Sequence, residues 1–496
     1  MPVLEERGLF WWSGEPIPEG HFAPEGSIAG LLTIDDDGRI TLELDGYFPN
    51  EHGPRGLLTG QGVTLKRNIA GVLKTSSNRV LLIGVIANGG QVRSASMSYE
   101  RFVATDCLVG DSSLHEAAGA LLFNSLEVDL TGFDAWFWFR SINVSRSDDR
   151  IAAEWRRPES AVYQLDDETL TFDFDVVGSI PYGTLAEEIA LRERASVRMS
   201  LTKKETLEQW RDRFRFFEEL LILLIDTEYR LKWPTLILDE RTRARWYFSR
   251  FKGDETAAPP ERHKCLTFFP HLRDRFGDIW INWREKREKF GPGFYLYLGT
   301  RRGLSLYAEH RFVNLIWGIE AFHRTKYPAD AKAMKAMIDR IVDQVADKSD
   351  KKQVRSRFKY AHEPSLEERI YFAFKELPIG LDKKRLRSFA KACAKARNDI
   401  SHFGSQRHGN PYSDFVLDLE KKSRALSTLY HCLLLYEIGI DEKALRKWIY
   451  DSFGSFQIKH SFVEVGLLDK GVLELPDTTE SSGTGRPSGQ SGSGVH

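Results

Sequence analysis

DKKRLRSFAKACAKARNDISH, residues 382–402, decides how the C-terminal half of this chain is read. It is one of a run of amphipathic helical stretches, and its last residues carry the chemistry. Arg397 stands five residues before His402, with Asn398 and Asp399 between them. Five residues of ideal helix turn by about 140°, so an unbroken helix would point the two side chains apart. Asn, Asp and Ser compete for backbone hydrogen bonds, and Gly404 follows. The expectation is therefore a helix that ends between Arg397 and His402 and turns both toward one cleft.

The surroundings of that stretch are helical. SLYAEHRFVNLIWGIEAFHRTKYP places Leu306, Phe312, Leu315, Ile316, Ile319 and Phe322 on one helix face and stops at Pro328. AKAMKAMIDRIVDQVA follows. Ser365 with Glu368 three residues on predicts a capping box. After FGSQRHGNPY, Ser413 is the expected cap of a long helix that closes at Gly439. Short connections between such helices describe an antiparallel bundle. TTESSGTGRPSGQSGSGVH, from Thr478, is Gly/Ser-rich and expected to be disordered.

Upstream the pattern is different. SIAGLLTIDDDGRITLELDGYF predicts a hairpin about Asp-Asp-Asp-Gly, and LLIGVIANGGQVRSASMSY a strand pair about Asn-Gly-Gly. In ETLTFDFDVV, Leu170, Phe172, Phe174 and Val176 alternate with polar residues, as in a half-buried strand. Many such strands suggest an antiparallel sandwich or barrel. KETLEQWRDRFRFFEELLILLID breaks the run with a long amphipathic helix through Trp210, Phe214, Phe217, Leu221 and Leu224. Strands and charged loops are expected again from 231 to 299, ending in FYLYLGT. The fold class is thus α+β: a large antiparallel β-rich region with an embedded helix, then an all-α bundle.

At 496 residues the prior is two to four structural units. The hydrophobic fraction of 42% suffices for real cores. The net charge of -1 means that any nucleic-acid surface must be local. Between Arg324 and Arg397, Lys and Arg outnumber Asp and Glu, as an RNA-binding face requires; a solvated helix face would have the same composition. Cys107, Cys265, Cys393 and Cys432 form no CxxC or CxxH pair, which argues against a zinc site or a disulfide framework. Glu5 and Glu6 stand where a signal peptide would be basic, and the longest apolar run, LLILLI at 220–225, is too short to span a bilayer. A cytoplasmic location without membrane contact is the expectation.

An Arg and a His at this spacing are a weak signal alone, since Arg357 and His362 match it too. Arg424 and His431 are seven apart, roughly 10 Å along a helix, and poorly placed to close on one phosphate. The chemistry of the first pair is coherent. A guanidinium grips a phosphate through two bonds, and an imidazole exchanges protons near neutral pH. Together they suit cleavage of RNA by its own 2′-hydroxyl. Asn398 and Asp399 are supporting candidates that could orient the imidazole or the ribose. No carboxylate cluster suggests a metal, and no cofactor signature is present. The bland alternative is that Arg397 caps its own helix and His402 is a loop residue. Trp11, Trp12, Trp136 and Trp138 are either core residues or stacking platforms for a carbohydrate.

RNDISH, the domain order, the GLFWWSG opening and the SIAGLLTI strand together resemble the ApeA group of anti-phage proteins with a C-terminal HEPN ribonuclease domain. The resemblance implies a metal-independent endoribonuclease that leaves a 2′,3′-cyclic phosphate and a 5′-hydroxyl. It implies Arg397 on the phosphate, His402 in proton transfer, and Asn398 and Asp399 in support. It implies paired bundles, hence a homodimer or a higher even oligomer. RNA, with tRNA one candidate, is the expected substrate, and a phage-derived trigger the expected signal. The expected layout is a sensor region over 1–300 with a further boundary near 200 left open, the bundle over 301–455, an extension over 456–477, and the tail over 478–496. Two alternatives stay open: a non-catalytic HEPN adaptor that binds RNA, and a ligand-binding β-sandwich with a helical dimerisation module.

Overall fold

The computed structural model describes residues 2–48, 68–91, 98–111, 114, 121–179, 190–239, 242–250, 257–302, 306–328, 331–358, 363–403 and 411–473. The chain divides into two compact units. The first is Met1–Leu306 with Leu434–Ile440, and the second Tyr307–Leu433 with Asp441–His496.

The first unit is built on strands β1 (Leu4–Trp12), β2 (Ile28–Ile34), β3 (Ile40–Leu44), β4 (Ile69–Leu73), β5 (Arg79–Ile83), β6 (Ile86–Gln91), β7 (Tyr99–Ala104) and β8 (Asp106–Gly110). They are followed by β9 (Leu122–Asp129), β10 (Ile142–Arg146), β11 (Ile151–Trp155), β12 (Ala161–Gln164), β13 (Glu168–Ser179), β14 (Ala190–Thr206), β15 (Thr235–Ile237) and β16 (Arg243–Phe248). Among the described residues, fourteen form one sheet in the order β12-β13-β14-β9-β15-β16-β8-β5-β4-β1-β2-β3-β7-β6. The described pairings are all antiparallel. The expected antiparallel β-rich region is one hydrogen-bonded sheet whose described order runs from β12 to β6, beside the separate hairpin β10–β11.

The hairpin β2–β3 forms as read: the amide of Asp35 donates to Arg39 O, and Gly38 takes φ +78°, which a side chain would resist. Asn88-Gly89-Gly90 is not a turn. It lies inside β6, which shifts register between Ala87 and Gly90 against β7, while β5 pairs with β4 and β8. Glycines lack a packing side chain, so a bulge accommodates them as readily as a turn does. Leu170, Phe172 and Phe174 of β13 are buried, whereas Val176 is only partly covered.

Helix α1 (Leu207–Ile225) opens on a capping box of Thr206 and Gln209. Trp210, Phe214, Phe217, Leu221 and Leu224 are all in the core. Its buried Glu219 is matched by Arg287 and Arg302, which keeps the charge compatible with burial. The strands expected over 231–299 are only partly there. After β16 the described chain is largely helical, with α2 (Phe276–Phe290) and α3 (Pro292–Thr300), so FYLYLGT is helix. Pro292 sits in the first turn, where its missing N–H costs nothing. Phe294, Tyr297 and Leu298 are buried at helical spacing. Packing overrides the strand propensity of the aromatics.

Trp11 and Trp136 are core residues, at 1% and 0% exposure. Trp12 packs on Phe48 and Phe102, and the guanidinium of Arg262 lies 3.6 Å from the Trp138 ring centre. None of the four offers a bare stacking platform. The four cysteines are buried and none of them forms a disulfide. Burial pushes Cys265 up to about 11 and Cys107 and Cys393 higher still.

The second unit contains α4 (Ala308–Lys326), α5 (Ala331–Asp343), α6 (Lys348–Phe358), α7 (Leu366–Phe374), α8 (Lys383–Phe403), α9 (Tyr412–Glu437) up to Leu433, α10 (Glu442–Tyr450) and α11 (Ser455–Glu464). Phe312, Leu315, Ile316, Ile319 and Phe322 of α4 are fully buried, and α4, α7 and α8 pack together. A Cβ on Gly318 of α4 would lie 2.6 Å from the Tyr430 hydroxyl of α9. Glycine is what allows that approach. Ser365 and Glu368 form the predicted capping box of α7. Gly439, at φ +97°, follows α9 as read. Ser413, however, lies within α9, whose first residue is Tyr412 just after Pro411, so it is not the cap. A proline immediately before a helix supplies the fixed φ without needing a side-chain cap. The tail from Thr478 lies outside the described residues.

Candidate active site

Asp382 starts α8: its carboxylate accepts the amide of Arg385 at 2.9 Å. The helix then buries Leu386, Phe389, Ala390, Cys393, Ala394 and Ala396. It does not stop at Arg397. It runs unbroken to Phe403, against the expectation of an end between Arg397 and His402. Asn, Asp and Ser disfavour a helix interior by only some tenths of a kcal/mol each. The apolar face of the preceding turns holds this stretch against α4 and α7.

The unbroken helix sets the directions of the four candidates. Arg397 is half-buried, and its Nε is buried without a hydrogen-bond partner among the described residues. Its Nη1 donates to Asn398 Oδ1 at 3.2 Å, so Asn398 steadies the guanidinium. Asn398 and His402 are exposed, whereas Asp399 is buried. Around the axis, Arg397 and His402 diverge by about 140° and are spaced by about 7.5 Å along it. One helix does not aim both at one phosphate.

His402 has other companions. Lys384, Arg387, Lys391, Lys395, Asn398 and His402 follow at steps of three or four, and all are exposed. Such steps keep residues on one face. A cationic stripe therefore runs along α8 and ends at His402. The helical spacing of those lysines and arginines was visible in the sequence, but only with the helix known to reach Phe403 does His402 join them.

The competing pairs fare differently. Arg424 pairs with Glu464 at 3.7 Å, and His431 is buried with its ring 5.3 Å from Trp448. The first is an exposed ion pair on the surface and the second a packing residue of the bundle. His362, the partner of Arg357 by spacing, lies outside the described residues. His323 of α4 stands in no motif of the sequence. It is 2% exposed, and neither ring nitrogen has a hydrogen-bond partner among the described residues. Burial and the neighbouring Arg369 charge pull its pKa down to about 4. Among the described residues no three His, Cys, Asp or Glu side chains gather into a metal-holding group. No helix among them is long and apolar enough to cross a membrane.

A family model described as ApeA N-terminal domain 1 matches residues 5–283, more than half of the chain. The chain belongs to the ApeA family. A second model, Apea-like HEPN, matches residues 313–444, which contain α8 and its Arg397–His402 segment. The helical region of this ApeA chain is thus a HEPN domain that follows the sheet-bearing one. Comparison with curated proteins and with solved structures gives no match.

Proposed function

We propose that this ApeA-family chain is an endoribonuclease that acts as the toxic effector of bacterial anti-phage defence. The family match supports a HEPN nuclease effector with RNA as substrate. The observation that carries the residue-level reading is the cationic stripe of α8 leading to the exposed His402. A row of cations is suited to track a phosphate backbone.

In the proposed reaction His402 takes part in proton transfer as the 2′-oxygen attacks the adjacent phosphorus. The 2′-hydroxyl gives up its proton, the bond to the 5′-oxygen breaks, and that oxygen takes up a proton and leaves as a 5′-hydroxyl. The products are a 2′,3′-cyclic phosphate and the 5′-hydroxyl strand. Arg397 stabilises the charge on the phosphate oxygens. Divergence of the two side chains on one helix fits a groove shared by two copies, with Arg397 of one chain serving the phosphate that His402 of the other attends. No metal is required in this scheme. The β-rich region over 1–300 is proposed to receive a phage-derived signal, and the bundle over 301–455 to cut.

Expression of wild type beside His402→Ala, followed by mapping of RNA ends with and without EDTA, tests the proposal. Cleavage with cyclic-phosphate ends that persists in EDTA and vanishes in a folded His402→Ala chain is the expected result. A folded His402→Ala chain that cuts at the wild-type rate would remove His402 from the mechanism, and a wild-type chain that binds RNA without cutting it would replace the nuclease by an adaptor.

A further inference from the structure

The first unit holds a cavity of about 250 Å³ against helix α1. Its walls carry Arg211, Arg215, Arg230, Arg250 and Arg302. Glu218 and Glu228 also line it, with Phe214 and Phe248 as apolar floor. Five guanidinium groups around so small a space need an account. Two of them have one in the fold: Arg211 is paired with Asp106, and Arg302 with Glu219. That leaves Arg215, Arg230 and Arg250 against Glu218 and Glu228, an excess of one positive charge.

The remaining three differ in their ties. Arg250 donates to Leu231 O at 2.8 Å and to Lys232 O at 3.3 Å, and stacks 3.7 Å from the Trp233 ring centre. Its Nε is nevertheless buried without a partner among the described residues. The same holds for Arg211 Nε and Glu218 Oε1 on the same wall. Burial pulls the Arg250 guanidinium down to about 10, partly offset by the charge of Glu218, so an added anion would relieve it. Arg215 and Arg230 have no hydrogen bond or ion pair among the described residues. Buried polar atoms in folded proteins are normally satisfied, and three orphans around one cavity point to a ligand.

We propose that this cavity binds a small organic phosphate, gripped by Arg215, Arg230 and Arg250. Planar guanidinium groups match phosphate oxygens through paired bonds. Glu218 and Glu228 are acceptors for hydroxyl groups on the organic part. The volume admits a sugar phosphate or a similarly compact ester rather than a polymer. Nothing in this inference depends on the nuclease reading.

The test uses the full chain and measures binding alone. Melting curves and calorimetry are run with ribose 5-phosphate, AMP, inorganic phosphate, ribose and adenosine. A phosphate ester should raise the melting temperature and bind, while ribose and adenosine should not. Arg215→Gln with Arg230→Gln should weaken that binding at least about tenfold, since two charged donors to the phosphate are removed. Arg146→Gln, on the exposed strand β10, should leave it unchanged. Absence of binding by either ester up to about 10 mM, a millimolar limit for weak ligands, would overturn the proposal. So would unchanged binding in the folded double variant, or inorganic phosphate binding as tightly as the esters.

Discussion

Arg397 and His402 lie on one unbroken helix, α8, and point away from each other around its axis. A site that needs both residues at one phosphate must therefore draw them from more than one helix.

Mixed dimers test this directly. Arg397→Ala and His402→Ala should each be inactive alone. Mixed and allowed to exchange subunits, they should regain about a quarter of wild-type activity, because half the dimers are mixed and each has one intact site of two. Recovery of none, with exchange verified by differently tagged chains, would place both residues in a single-chain site.

The bare spacing offers a control. Arg357→Ala with His362→Ala should keep a substantial fraction of RNA cleavage and toxicity, whereas His402→Ala should lose about a hundredfold or more. Equal losses would mean that the 357/362 pair is needed for cleavage as much as the end of α8, and that the spacing alone does not single out one site.

Lys391 and Lys395 are exposed and sit on the face of α8 that ends at His402. Their double replacement by alanine should leave the melting curve within the small range of surface substitutions. RNA binding should weaken, and its dependence on salt should flatten by roughly 0.7 for each phosphate no longer neutralised. An unchanged salt slope would show that RNA takes another path.

His323 makes the stability of the chain acid-sensitive. Its folded pKa of about 4 lies below the ordinary 6.5, so the unfolded chain takes up a proton that the folded chain refuses. Stability should fall as pH drops from 6.5 toward 4. His323→Phe keeps a ring beside Tyr327 and Phe372 and removes the titrating group. Proton uptake on unfolding, measured across that interval, should be about one less in the variant. Equal uptake in both would show that His323 is not the group responsible.

Several features were already legible in the residues. The periodicity of Trp210 to Leu224 marks α1, that of Phe312 to Phe322 marks α4, and Ser365 with Glu368 marks the start of α7. These are short-range signals: a helix face, a cap or a hairpin is specified within a few residues. RNDISH lies within the helical region that the Apea-like HEPN model matches. Other features depended on contacts far along the chain. Asn398, Asp399 and Ser401 carry weak helix-breaking preferences, and packing of α8 against α4 and α7 outweighs them. Phe294 and Tyr297 have strand preference, yet burial at helical spacing together with Leu298 places them in α3. The order of fourteen strands, and the gathering of Arg211, Arg230, Arg250 and Arg302 around one cavity, join residues that local pattern does not connect. Only the free energy of the assembled cores, summed over those distant contacts, selects them.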